Sequence, residues 1–165
     1  IRTVAAEAGI STGSIRHVFP SKTELLVHAT ELVGQRAWVR IQRHLDEPEP
    51  RALVLSVIEE LLPLDAERRL EMEVTIALIA EAPGNARVRE VLDESYEVVR
   101  EVCRRLVTRL RRAGLTAPGV DVESATTVLH GLVDGLAIHL LINPDPGFKR
   151  QALRMVEASI DRLRP

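Results

Sequence analysis

The chain has 165 residues, 45% hydrophobic and 28% charged, with a formal net charge of −2. That length suits one large or two small domains, and the balance is that of an ordinary globular chain. The single cysteine, Cys103, excludes an intramolecular disulfide framework. The charge is unevenly placed, +3 over residues 1–45 and −5 over the remaining 120. A positive end on a negative body fits a protein that offers nucleic acid one face, and it also fits helix surfaces that merely differ in composition. Arginine outnumbers lysine 20 to 2, and no function is read from it. Cys103 lies near Val102 and Leu106 on a helical pattern. A buried structural thiol in a reducing cytoplasm is therefore expected. No signal-peptide pattern is visible.

Val4 to Phe19 reads as two short helices meeting at a corner. Gly9 tolerates the left-handed backbone that ends a helix, Ile10 fills the angle, and Ser11 caps the next helix. Val4, Ala8, Ile10, Ile15 and Val18 are expected to form the small core, with Ala5 small enough for the helices to cross closely. A short turn containing glycine is what a helix-turn-helix uses. Thr12, Ser14, Arg16 and His17 remain for the outer surface, as hydrogen-bonding and cationic groups suited to phosphates and base edges. Phe19 plugs the end of the second helix and Pro20 turns the chain. Ser21 and Glu24 then form a capping box, with Lys22 at the first turn of a new helix.

The run Ala5-Ala6-Glu7-Ala8-Gly9-Ile10-Ser11, Gly13-Ser14-Ile15 and Phe19 to Leu25 resembles the DNA-binding module of the TetR family of bacterial transcriptional regulators. It covers about 25 residues, with turn, plug and capping box at the family spacing. Arg16 stands where many members carry tyrosine, and keeps a phosphate contact; Val18 stands where a second aromatic or histidine is common, and is expected to pack inward. The resemblance implies an earlier helix, so the chain reads as opening at Ile1 inside the second of three. It further implies that Thr12, Ser14 and His17 lie nearest the base edges. Gly13 would permit close approach, and Arg2, Arg16 and Lys22 would hold phosphates.

A long helix is predicted from Ser21 to the prolines at 48 and 50. Leu53, Val54, Val57, Ile58, Leu61 and Leu62 mark a short amphipathic helix closed by Pro63. The next runs from about Ala66 to Ala82 and stops at Pro83-Gly84-Asn85. Val88, Val91, Leu92, Ser95, Val99, Val102, Leu106 and Leu110 mark a helix of roughly 27 residues, ended by Gly114. After Pro118-Gly119, Asp121 or its neighbours begin a helix that is apolar nearly all round, from Val128 to Ile142. Phe148, Ala152, Val156, Ile160 and Leu163 give the last helix a single stripe. No strand shows alternation, so the fold class is all-α: a helix-turn-helix module and connecting helix over 1–45, then a helical bundle over 46–165.

A helix apolar all round must be buried on two sides, so two copies of the helices near 121–142 and 147–164 are expected to pair as a homodimer, with Gly131 and Gly135 allowing close approach. The resemblance implies the same dimer, and a twofold helix-turn-helix protein reads a pseudo-palindromic operator in double-stranded DNA. It also implies a small-molecule effector site in the middle helices. Candidate lining groups are Trp38, Met72, Thr75, Ile76, Ile79, Tyr96, Val99, Cys103, His130 and Asp134. His130 and Asp134 are four apart and could bind a metal or hydrogen-bond to each other. With no Cys/His/Asp/Glu cluster beside them the pair is preferred, and neither metal nor cofactor is expected. His130, Asp134 and His139 argue against a membrane span over Ala125 to Ile142. No phosphate loop, nucleophile elbow or carboxylate pair suggests an enzyme. The expected function is a DNA-binding repressor released by its effector; the alternative is a helical small-molecule-binding protein without DNA-binding function.

Overall fold

In the computed structural model, residues 2–164 are described, and they fold into eight helices with no strand. The first three are α1 (Arg2–Glu7), α2 (Thr12–Val18) and α3 (Lys22–Gln42). Then come α4 (Pro50–Glu60), α5 (Ala66–Glu81), α6 (Ala86–Arg112), α7 (Val122–Ile142) and α8 (Pro146–Asp161). Their ends follow from local chemistry. Gly9 at φ 66° closes α1: its N–H donates to Ala6 O at 3.2 Å, and that of Ile10 to Ala5 O at 3.0 Å. Gly114 at φ 71° ends α6 with the same pair of bonds, to Arg111 O and Leu110 O, both at 3.0 Å. Side chains of Ser11, Ser21, Glu49, Asp65, Asn85, Asp121 and Asp145 accept amide hydrogens at the starts of α2 through α8.

The long helix at 86–112 has 27 residues, as its apolar spacing predicts. The helix after Ser21 is shorter than the prolines suggested. It ends at Gln42, and residues 43–46 form turns, so Pro48 lies in the connection. Pro50 instead opens α4 in the first helical turn, where its missing N–H costs no bond.

Two apolar clusters hold the bundle. The larger joins Ile41 and Leu62, just after α4, to buried residues of α4, the C-terminal half of α6, α7 and α8, among them Ile58, Val107, Leu110, Leu140 and Val156. The smaller packs Val27 of α3 against Leu78, Ala82, Val88 and Val91, with Leu26 and Leu92 at its edge. Because α6 contributes to both clusters, it ties the first turns of α3 to the far end of the molecule.

The helix α7 is long and apolar enough to cross a bilayer, yet Ala125, Thr126, Leu129, His130, Val133, Leu136, Ala137 and Leu140 are buried within this chain. Its other side is bare: Val128 is 63% exposed and Ile142 76%. The helix is thus half covered by its own domain, as a helix with a second apolar partner requires.

Candidate nucleic-acid interface and effector region

On α2 the buried residue is Ile15, with Thr12 and Phe19 half-buried on the same side. Gly13, Ser14, Arg16 and His17 are exposed together. The backbone N–H of Ser14 donates to Ser11 Oγ at 3.0 Å, and the two hydroxyls lie 2.8 Å apart. Ser11 therefore caps α2 through the Ser14 amide, and the Ser14 hydroxyl already has a partner within the chain. A Cβ at Gly13 would meet Ser11 Oγ at 3.5 Å, an ordinary contact, so glycine is not required there by the chain's own packing. Arg2 and Arg16 have no ion-pair partner among the described residues.

The small core departs from expectation. Ala5 and Ile15 are buried, but Val4, Ala8, Ile10 and Val18 are exposed. For Val18 the cause is local: Phe19, four residues after Ile15, takes the inward position and stacks on His28 with ring centroids 5.2 Å apart. Of the capping box, the Ser21 half is formed, with the Glu24 N–H donating to Ser21 Oγ at 3.1 Å.

Lys22 opens α3 exposed, and it is not free: its ammonium pairs with Glu81, the last residue of α5. Beside it the Asn85 amide donates to Thr23 Oγ1 at 2.9 Å, while Asn85 Oδ1 caps α6 through the Val88 N–H. These contacts span about 60 residues of sequence and fasten the start of α3 to the α5–α6 turn.

The other end of α3 is held by charge. Arg40 forks onto Glu71, with Nη1 and Nη2 donating at 2.9 and 2.6 Å, and donates through Nε to Glu60 at 2.9 Å. His44 Nε2 lies 3.1 Å from Glu60, and Arg68 Nη1 donates to the same carboxylate at 3.3 Å. Burial pushes the Glu60 carboxyl upward, but His44, Arg68 and Arg40 outweigh it and hold it below the usual range. A depressed carboxyl contributes stability above its unfolded pKa, about 4.3, and that contribution is lost as pH falls through the lower folded value. The contribution of Glu60 to the thermal midpoint is therefore expected to stay level from about pH 7 to 5 and to fall below about pH 4. Glu60→Gln should flatten part of that fall in a circular-dichroism series, and equal slopes in the two proteins would contradict the assignment.

Of the nine candidate effector residues beyond Trp38, four come together between α6 and α7. The Tyr96 and His130 rings lie 4.7 Å apart, and His130 Nε2 is 3.5 Å from Asp134 Oδ2. Burial raises the Asp134 carboxyl, opposed by His130, and burial with the Asp134 charge pushes the Cys103 thiol up to about 12. That thiol is protonated near neutrality and is a packing group. Among the described residues no three His, Cys, Asp or Glu side chains form a metal cluster.

The remaining candidates are dispersed. Met72 and Val99 pack on the main cluster, and Thr75 Oγ1 donates to Glu71 O in its own helix at 3.2 Å. Ile76 is half-buried, while Ile79 and Trp38 are exposed. Two grooves of about 380 and 300 Å³ lie elsewhere. One is along α3 at Leu32, Arg36, Val39 and Arg43, and the other is where α6, α7 and α8 meet; neither includes any of the nine.

Comparison with known proteins places these features. Residues 50–165 match the model of the C-terminal domain of BetI-type transcriptional repressors. The chain is 30% identical over 163 residues to the HTH-type transcriptional regulator PksA of Bacillus subtilis (strain 168), covering 98% of this chain and 78% of PksA. A crystal structure of a Rhodococcus transcriptional regulator is 24% identical, with TM-score 0.78, over 98% of this chain and 83% of that one. A regulator from Saccharomonospora viridis, solved in complex with choline, is 21% identical, with TM-score 0.80, over 96% and 82% of the two chains. With a family model over its whole C-terminal bundle and a curated relative along nearly its full length, this all-helical chain belongs to the TetR family of transcriptional regulators.

Proposed function

We propose that this protein is a cytoplasmic repressor that binds a pseudo-palindromic operator in double-stranded DNA as a homodimer and is released by a small-molecule effector. Residues 1–45 act as the DNA-binding module and connecting helix, and 46–165 as the effector and dimerisation domain. The observation that carries the reading is the outward face of α2. Gly13, Arg16 and His17 are exposed, side by side, and no packing in this chain needs them there. A cation and hydrogen-bonding groups on a short capped helix are what a recognition helix presents to the major groove.

Dimerisation is supported by α7 and α8. Val128, Ile138, Ile142 and Met155 are exposed, and a Cβ added at Gly131 or Gly135 would meet nothing within 4 Å. Neither glycine serves a contact inside the chain, and both suit the close approach of a second backbone. The effector reading rests on Tyr96, Cys103, His130 and Asp134, which place polar groups against the apolar junction of α6 and α7. An effector acts by preferring a conformation whose recognition helices are wrongly spaced, and lowers DNA affinity by that preference.

In a titration of full-length protein on its own upstream DNA, Arg16→Ala is expected to weaken binding to all sequences alike. It should also reduce the slope of log affinity against log salt by about one. Binding with an unchanged slope would remove Arg16 from the interface. A ligand bound by a protein that shifts no promoter fragment would favour a helical small-molecule-binding protein instead.

A further inference from the structure

We infer that Glu81 competes with DNA phosphate for Lys22, so that the α5–α6 turn regulates operator affinity through this one cation; the inference rests on the DNA-binding reading above. Lys22 is the first residue of α3, directly after the recognition helix and its Phe19-Pro20 turn. Its partner is not a neighbour on the same helix but Glu81, at the C-terminal end of α5. A carboxylate is disfavoured at a helix C-terminus, where the carbonyls already carry partial negative charge, and a cation brought from another element offsets this. No lysine or arginine stands three or four residues from Glu81 on either side, so the cation must come from elsewhere.

The surroundings keep this pairing in register. The Asn85 amide holds Thr23, next to Lys22, while Asn85 also caps α6. Beneath them Val27 packs on Leu78, Ala82, Val88 and Val91, so the start of α3 and the α5–α6 turn move together or separate as a unit. When the turn is seated, the ammonium is shared with a fixed negative charge and a phosphate must displace it. When the turn withdraws, Lys22 gains a full contact and the interface loses a nearby negative charge. One helix of this turn, α6, also carries Tyr96 and Cys103 of the candidate effector group. A ligand that shifts α6 therefore reaches DNA affinity through Glu81, at a position that touches neither ligand nor base.

The test is a fluorescence-anisotropy titration of full-length protein on a labelled duplex from its own upstream DNA, at several salt concentrations. Glu81→Gln is expected to bind roughly two- to tenfold more tightly, with the slope of log affinity against log salt steeper by up to about one. Lys22→Gln should weaken binding, and adding Glu81→Gln to it should give no further gain, because Glu81 acts through Lys22. Both side chains are solvent-accessible, so thermal midpoints should hardly move. A wild type that binds while Glu81→Gln leaves affinity and slope unchanged overturns the competition alone. So does an equal gain in the Lys22→Gln background, which would make Glu81 a general repulsive charge. A wild type that binds no fragment overturns the DNA-binding reading as well.

Discussion

Replacing Arg40 by alanine is expected to destabilise the protein by about 3 kcal/mol, the lower end of the range for removing one partner of a buried ion pair. Arg40 is only 15% exposed in its side chain, and it satisfies both oxygens of Glu71 and one of Glu60. Without it Glu71, 8% exposed, keeps a negative charge with no cation in reach of that fork. Glu60 retains His44 and Arg68 and suffers less. For a domain of this size the loss corresponds to a fall of roughly 10 °C in thermal midpoint. Arg40→Lys should recover part of it, because an ammonium supplies the charge but not the planar fork. A loss under about 1 kcal/mol would show that the network is solvated and that α3 is held to α4 and α5 by apolar contacts alone. The network also bears on the proposed function, since α3 joins α2, the proposed recognition helix, to the body and Arg40 fixes its distal end.

Placing leucine at both Gly131 and Gly135 is expected to raise the dimer dissociation constant about a hundredfold or more, at roughly 1.4 kcal/mol per factor of ten. The expectation is specific because of what the folded monomer allows. An added Cβ at either site meets no atom of this chain within 4 Å, so a side chain can start there without a clash inside the monomer. The substitution should raise the monomer's thermal midpoint slightly, since leucine is a better helix former than glycine by up to about 1 kcal/mol. A second copy approaching α7 would meet two side chains where it needs backbone clearance. Sedimentation equilibrium separates the outcomes: a variant that dimerises as well as wild type would move the interface away from this stretch of α7.

Most of the fold is legible in the sequence because its signals are local. The spacing from Val88 to Leu110 and the stop at Gly114 give α6 its full length, since periodicity and a left-handed glycine are properties of the segment itself. Pro63, Gly84 and Pro118-Gly119 mark breaks for the same reason. The end of α3 is not legible from Pro48. The helix stops at Gln42 before any proline, where residues 43–46 turn toward α4.

The candidate effector residues are legible only in part, since four of the nine come together and the other five are dispersed. Tyr96, Cys103, His130 and Asp134 come together because the helical period of α6 and α7 puts them on facing stripes. What sequence spacing misses is pairing between distant elements. Lys22 reads as a free cation at a helix start, and only the tertiary structure shows Glu81 beside it. Two signals were nonetheless present. Glu81 ends a helix with no local cation, and Glu71 shares a helical stripe with Leu78 and Ala82, where a carboxylate must find a cation from another helix. The exposure of Val4, Ile10 and Val18 was not legible, because inward and outward positions on helices of six and seven residues depend on what packs against them.

The central claim is that this TetR-family chain reads DNA through the outward face of α2. Its most direct test is an anisotropy titration of the full-length wild-type protein on duplexes tiling its own upstream DNA, with excess unrelated DNA as competitor. The account predicts one duplex bound at least about a thousandfold more tightly than the competitor, with affinity falling steeply as salt rises. Equal affinity for every duplex, or none for any, would contradict it.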